Sequence, residues 1–358
     1  MSGDWGDYSD YVEYPTGYPE IDPGTAPCTQ DEVGSFARYF GPAVLSVAFV
    51  VGLVGNGLVL AILGRRPCPW LFADCYLFQM AVADLLLTFT LPFRAAQFSQ
   101  GWVFGEVPCK LVGAISTMNI YSTVFLLMCL SVERYLVIIH AVQLHHLVKL
   151  PHTYLLSALV WIACFCLSVV DLHFRSAAYV PQAGAVICHL RFDARQAESW
   201  RLGLRLVSFL FGFFLPLLVM VICYFRVFHR LRRARIFCRH QAVRILLVVL
   251  VLFVLCWGPF HGFIFTDSLQ RLGHVARDCA REKILDFGLL FTESMGLVHC
   301  CLNPLVYALM GVKFRRELSR LFHCRDRDVE RQRNNSDWEF SQATEHTITR
   351  PIDYSIMM

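Results

Sequence analysis

Charge is scarce in this sequence. Asp, Glu, Lys and Arg make up 17% of its 358 residues, while hydrophobic residues make up 56%; a soluble domain is roughly a quarter charged. That balance excludes an ordinary water-soluble domain and makes the bilayer the first question. No cleavable leader is visible either. Met1 is followed by Asp4, Asp7 and Asp10 rather than by a basic stretch and a short apolar run, so the first long apolar segment is expected to act as the targeting signal and to stay in the chain. No internal repeat and no matching pair of Gly/Pro-interrupted segments is visible, which argues against a membrane transporter. No His/Glu metal cluster and no nucleophile beside a base lie at one depth, which argues against an enzyme. Nothing calls for a nucleic-acid partner.

What is present is apolar length. A spanning helix needs about 20 mostly apolar residues, and seven stretches qualify: 40–64, 72–97, 107–140, 153–173, 202–232, 240–267 and 284–310. The fold class expected is an all-α integral membrane bundle of seven transmembrane helices, organised as an acidic disordered arm (1–39), the bundle (40–310), a short amphipathic eighth helix on the membrane surface (311–324) and a disordered tail (325–358). Val312, Phe314, Leu318, Leu321 and Phe322 give that eighth helix an apolar stripe beside Lys313, Arg315 and Arg316, a pattern suited to a lipid surface. Cys324 closes it, as a candidate palmitoylation site or a plain thiol.

Orientation follows from the basic residues of short connections. Arg65 and Arg66 follow the first stretch; Arg226, Arg230, Arg232, Arg233, Arg235 and Arg239 lie between the fifth and sixth; Lys313, Arg315, Arg316 and Arg320 follow the seventh. With seven spans these groups share one side, the cytoplasm, which puts the amino terminus outside and the carboxy terminus inside. The outer connections also carry Arg175, Arg191, Arg195, Arg271, Arg277 and Arg281, so the asymmetry is not absolute. No Asn-x-Ser/Thr sequon falls in an external segment; Asn334-Asn335-Ser336 lies on the inner side.

The outer arm sets Asp4, Asp7, Asp10, Glu13, Glu20, Asp22, Asp31 and Glu32 against Arg38 alone. Such an arm attracts basic partners, although a solvated tail without function has the same composition. Of fifteen cysteines, Cys28, Cys109, Cys188 and Cys279 fall in external segments and can pair there, in three ways; Cys75, Cys129, Cys164, Cys166, Cys223, Cys256, Cys300 and Cys301 sit in apolar runs and pack as small hydrophobes. Inside the spans the polar residues are few: Asn56, Asp84, Asn119, Glu133, Arg134, Asp171, Glu293, His299 and Asn303. Buried in a bilayer, such groups are costly and tend to be functional. Asp84 needs a cation, a proton or donors, for which Asn56, Asn119, Thr123, His299 and Asn303 are candidates.

These residues carry a resemblance. Gly55-Asn56, Met80-Ala81-Val82-Ala83-Asp84, Glu133-Arg134-Tyr135, Trp161, Pro216 with Tyr224, Cys256-Trp257-Gly258-Pro259 and Asn303-Pro304-Leu305-Val306-Tyr307 follow one another as in the rhodopsin-class G-protein-coupled receptors. Thr90-Leu91-Pro92-Phe93, Trp102-Val103-Phe104-Gly105, the run from Glu133 to Ala141 and His299-Cys300-Cys301-Leu302-Asn303-Pro304 narrow it to the chemokine receptors. His140 to Leu144, Leu272 to Glu282 and Gly311 to Arg315 are most similar to the type-3 branch of the CXC receptors. The resemblance spans roughly 28–323. There are departures: Arg94 stands where the family usually has a pocket tryptophan, Phe260 where a tyrosine is common, Val170 where a proline precedes Asp171, and Thr123 where a smaller residue is usual.

The resemblance implies a plasma-membrane receptor that binds a basic chemokine outside and activates an inhibitory-class heterotrimeric G protein inside, directing leukocyte chemotaxis. It implies disulfides Cys109 to Cys188 and Cys28 to Cys279. Tyr8, Tyr11 and Tyr14, set among Asp7, Asp10 and Glu13, become sulfation candidates that strengthen capture of the ligand. Arg94, Asp171, Asp267 and Glu293 become pocket residues, with Glu293 the foremost anchor for a cationic group and Arg94 able to neutralise one carboxylate. Glu133, Arg134, Tyr135, Tyr224, Trp257, Pro259, Asn303, Pro304 and Tyr307 become the switch. Asp84, Asn119, Thr123 and Asn303 become a candidate allosteric sodium site, no other cofactor being expected. Arrestin and a receptor kinase at the tail, and membrane lipid, complete the expected partners. An atypical scavenging receptor without G-protein signalling is the nearest rival, and a transporter the rival from another class.

Overall fold

In hydrocarbon every backbone N–H and C=O must find its partner within the segment, so long apolar stretches become helices. The computed structural model describes residues 28, 31–65, 72–139, 150–233, 241–276, 278–310, 314–317 and 319. Its helices are α1 (Asp31–Gly64), α2 (Phe72–Gln100), α3 (Glu106–Ile139), α4 (Leu150–Phe174), α5 (Ala197–Phe209), α6 (Leu215–Arg233), α7 (Gln241–Arg271) and α8 (Cys279–Met310). A π-helical turn, Leu210–Phe214, joins α5 to α6, so the eight helices make seven candidate membrane spans. Pro216, just past that turn, cannot donate a backbone bond and crowds the carbonyl four residues before it, which accounts for the wider winding. Residues 314–317 form the described part of a short further helix.

The third span lies at the centre, packed on the second, the fourth and the α6 part of the fifth, and α1 closes the bundle by packing on α2 and α8. The shared core contains Phe253, Met220, Leu126, Leu130, Val227 and Leu231. Val47, Val50 and Val54 of α1 are 66%, 58% and 57% exposed, one outward stripe at helical spacing of the kind that faces lipid.

Several helices outrun their apolar stretches at the disulfide end. α1 begins at Asp31 rather than at residue 40, α7 continues to Arg271 rather than ending at 267, and α8 starts at Cys279 rather than at 284. Hydropathy reports only the thickness of the hydrocarbon, whereas tertiary contacts hold these extra turns. Phe36 stacks on Phe40 at 4.7 Å, and the two meet Phe287 and Phe291 at 5.4 and 5.6 Å. Lys283 Nζ reaches Glu32 Oε2 at 2.5 Å, and Cys28 is bonded to Cys279. Residues 31–39, assigned to the arm by composition, are therefore helical.

Between the fourth and fifth spans the chain forms a hairpin that hydropathy does not reveal. Strands β1 (Arg175–Val180) and β2 (Ala185–Leu190) pair antiparallel, with Cys188 opposite Ala177. The turn holds Pro181, and Gly184 at a φ of 61°, a left-handed geometry that suits glycine. Cys188 is bonded to Cys109 at the head of α3. Trp102 donates its backbone N–H to Val186 O at 2.7 Å and its indole N–H to Gly105 O at 2.7 Å. The run Trp102 to Gly105 thus ties the loop between the second and third spans to the hairpin.

Candidate functional site

The bundle holds three groups of polar side chains at successive depths. At the disulfide end, each of the three expected pocket carboxylates already has an arginine partner. Asp171 accepts from Arg175 Nε and Nη2 at 2.8 and 2.7 Å on Oδ1, and from the Thr117 hydroxyl at 2.6 Å on Oδ2. Asp267 Oδ2 is held by Arg205 Nη2 at 2.6 Å and by Arg271 Nε at 3.0 Å. Glu293 Oε1 accepts from Arg94 Nη1 at 3.2 Å, and Arg94 Nη2 donates to Ser116 Oγ at 3.0 Å. The Arg94 to Glu293 pair was foreseeable from the sequence. Asp171 and Asp267 are held in helix-spaced or inter-span ion pairs, and Glu293 is shared with Arg94.

At mid-depth Asp84 is 1% exposed, and both of its oxygens accept amide donors. Asn119 Nδ2 reaches Oδ1 at 2.9 Å, and Asn303 Nδ2 reaches Oδ2 at 3.0 Å. A buried carboxylate satisfied in this way couples the second, third and seventh spans. Asn56 does not join it; its amide donates instead to Gly52 O and Cys300 O, both at 3.0 Å, and so bridges the first and seventh spans. His299 packs edge-on against Phe253 at 5.9 Å. The Thr123 hydroxyl and Asn303 Oδ1 are buried acceptors without a protein partner. Like the Asp84 carboxylate they offer oxygen only, the donor chemistry of a hard cation and not of a soft transition metal.

Trp257 and Pro259 sit above this layer in the sixth span, Trp257 being 5% exposed and in edge contact with Phe260 at 5.7 Å. At the end of the bundle opposite the disulfides, Arg134 Nε pairs with Glu133 Oε2 at 3.0 Å. Both belong to α3, so the pair is local. The Tyr224 hydroxyl is hydrogen-bonded with Ser131 Oγ at 2.9 Å, one turn before Arg134. Tyr307 is 8% exposed with its hydroxyl buried and unpartnered. Tyr224, Tyr307, Trp257 and Phe253 belong to one apolar cluster, against which Tyr135 packs, while Pro304 is buried in α8. The sulfation candidates Tyr8, Tyr11 and Tyr14, and Cys324, lie outside the described residues.

Sequence reasoning missed Arg175, Arg205, Arg271, Ser116 and Thr117. Asp171 with Arg175 and Asp267 with Arg271 have the i,i+4 spacing that signals a pair on a helix face. No spacing could have joined Arg205 to Asp267, or Thr117 to Asp171.

Seven apolar spans, a satisfied carboxylate at mid-bundle and an arginine beside a glutamate at the end of the third span opposite the disulfides are the features of a seven-transmembrane receptor. The chain belongs to the rhodopsin family of seven-transmembrane receptors, whose model matches residues 55–307. Its place within that family is among the C-X-C chemokine receptors. It is 40% identical over 327 residues to C-X-C chemokine receptor type 3 of Homo sapiens, covering 89% of this chain and 88% of that one. It is 40% identical over 319 residues to C-X-C chemokine receptor type 3-2 of Danio rerio, with 87% and 84% covered. To C-X-C chemokine receptor type 5 of Homo sapiens it is 40% identical over 292 residues, with 81% and 78% covered. It is therefore a multi-pass membrane receptor and not an enzyme.

Proposed function

We propose that this receptor captures a basic CXC chemokine on the outer face of the plasma membrane and activates an inhibitory-class heterotrimeric G protein on the inner face, directing leukocyte chemotaxis. The observation that carries this reading is the separation of two specialised ends on one helix. Cys109 anchors the head of α3 to the hairpin, and Arg134 lies near its foot beside Glu133, about 37 Å away at 1.5 Å per residue. No ligand touches both ends, so binding at one is felt at the other only through repacking of the bundle.

The arm, with Asp4, Asp7, Asp10 and Glu13, draws in a basic protein through a field that salt screens, and sulfation of Tyr8, Tyr11 and Tyr14 deepens that field. The ligand's leading segment then enters among Arg94, Asp171, Asp267 and Glu293. Contacts there bias the sixth span, which bends at Pro259 because that residue leaves a backbone acceptor unpaired, and Trp257 moves with it. Arg134 leaves Glu133 and meets the G protein, with Tyr224 and Tyr307 closing round it beside Asn303 and Pro304. The Arg and Lys groups near residues 65, 226–239 and 313–320 support placing this end in the cytoplasm. Arrestin and a receptor kinase act on the tail, Cys324 anchors it by palmitoylation, and a sodium ion at Asp84, Asn119, Thr123 and Asn303 favours the resting state.

A second reading, an atypical receptor that internalises chemokine without G-protein activation, gains support from the arginine-neutralised pocket. One experiment separates the two: G-protein activation and ligand uptake by the parent and by Arg134→Ala across a panel of CXC chemokines. The signalling reading expects activation in the parent, loss of activation in the variant, and retained uptake with reduced high-affinity binding, because coupling between the two ends is reciprocal. Equal activation by both would remove Arg134 from the switch, and uptake without activation in the parent would leave the scavenger.

A further inference from the structure

The ion pairs of the pocket are not equivalent, and their asymmetry points to the chemistry of what enters. Four arginines, Arg94, Arg175, Arg205 and Arg271, meet three carboxylates, Asp171, Asp267 and Glu293, so this set carries an excess of positive charge. Two of the arginines converge on one face of the third span. Arg94 is held by Ser116, Thr117 holds the Asp171 carboxylate that orients Arg175, and the Arg175 side chain lies across Gly113. A Cβ at residue 113 would collide with Arg175 Nε and Cδ. Residues 113, 116 and 117 share a face at i, i+3 and i+4.

Within this set Asp171 is fixed: its side chain is 7% exposed, and three donors satisfy it. Glu293 is the reverse, 46% exposed and, among the described residues, held by Arg94 alone at 3.2 Å, whereas the Arg94 side chain is only 17% exposed. Arg94 Nε is moreover buried with no acceptor. The pair thus joins an anchored cation with donor capacity to spare and a loosely held anion at the rim.

We propose that Arg94 is the anion-recognising residue of this pocket, and that the ligand segment entering the bundle presents a carboxylate that takes Arg94 from Glu293. The proposal rests on the reading that a ligand segment enters at this end. Exchange costs little, because an incoming carboxylate replaces the Glu293 contact on Nη1, while Glu293 returns its charge to water. An incoming ammonium fares worse. To reach Glu293 it must lie beside an anchored guanidinium with a second one on the same helix face, and like charges in a partly desolvated site repel strongly.

The test uses the full-chain receptor purified in detergent, with hexanoate as the probe and hexylammonium at equal ionic strength as its counterpart. The quantity read is the thermal unfolding midpoint against probe concentration. Hexanoate should raise the midpoint of the parent and hexylammonium should not. Glu293→Gln, which removes the competing carboxylate, should bind hexanoate about tenfold more tightly, and Arg94→Gln should bind it at least about tenfold more weakly, the scale of one charge-assisted hydrogen bond. If Arg94→Gln does not fold, the comparison of Glu293→Gln with the parent still decides. A midpoint raised by hexylammonium alone, a hexanoate response that survives in Arg94→Gln, or no hexanoate response in either the parent or Glu293→Gln would overturn the proposal. Failure of the chemokine reading shows separately, as a parent that captures no chemokine of the panel while its response to hexanoate is unaffected.

Discussion

Trp257 occupies the space that Gly296 leaves open: a Cβ at residue 296 would lie 2.9 Å from Cη2 and from Cζ3 of the indole. The sixth and seventh spans therefore touch through a glycine near Pro259, with the indole wedged between the two helices. Gly296→Ala is expected to displace the ring and to cost about 1 to 3 kcal/mol, the usual penalty for overpacking a tight site. Thermal unfolding in detergent together with tryptophan emission reads both effects. Unchanged emission and an unchanged midpoint would mean that the indole has room to spare.

The Cys28 to Cys279 bond, the Glu32 to Lys283 pair and the contacts of Phe36 and Phe40 with Phe287 and Phe291 all fasten the start of α1 to the head of α8. Because the two cysteines act as one unit, Cys28→Ser and Cys279→Ser should each weaken chemokine binding by the same factor, and the double variant should be no worse than either. Surface expression should persist, since the aromatic contacts remain. Additive losses in the double variant would show that the cysteines act apart from their bond.

How much of this was legible in the sequence depended on the range of the interaction. The spans were, because hydrophobic length is a local property; their disulfide-end boundaries were not, because Phe36, Phe40 and Lys283 hold extra turns through contacts between distant segments. Asp84 announced itself as a lone carboxylate in an apolar run, and two of its five candidate partners, Asn119 and Asn303, bond to it. Asn56 turned instead to backbone carbonyls of α1 and α8, a choice set by helix rotation that no spacing encodes. The hairpin lay hidden in a segment whose strands are short and rich in alanine, where only the Pro181 to Gly184 cluster signalled a turn.

Asp267 joins the fifth and sixth spans, since Arg205 belongs to α5 and Arg271 to the same helix as the carboxylate. Arg205→Ala removes the inter-span member and leaves the carboxylate with one arginine. The expected cost is about 1 to 3 kcal/mol of stability, the range for loss of a charged hydrogen-bond partner. Arg271→Ala should cost less, because its partner lies one turn away on the same helix and the pair adds no contact between spans. Both midpoints come from the same unfolding measurement, and the reverse order would show that the α5 to α7 link is not what holds this end.

The mid-bundle layer supplies the most specific test. Asp84 is bonded to Asn119 and Asn303, yet Asn303 Oδ1 and the Thr123 hydroxyl are buried beside no protein partner. If these oxygens serve a sodium ion, its stabilising effect follows mass action, reaching about 1.4 kcal/mol when sodium is tenfold above its dissociation constant. The unfolding midpoint of the parent should then be higher in sodium chloride than in choline chloride at equal ionic strength. Asp84→Asn, which removes the charge that holds a cation, should erase the difference. Thr123→Val is more telling, because it keeps the shape of the side chain and deletes only the hydroxyl. Since that hydroxyl has no protein partner to lose, Thr123→Val should match or exceed the parent in choline chloride and fall short of it in sodium chloride. A variant that is weaker in both salts would assign Thr123 to packing, and one that keeps the full sodium response would remove it from the ion site.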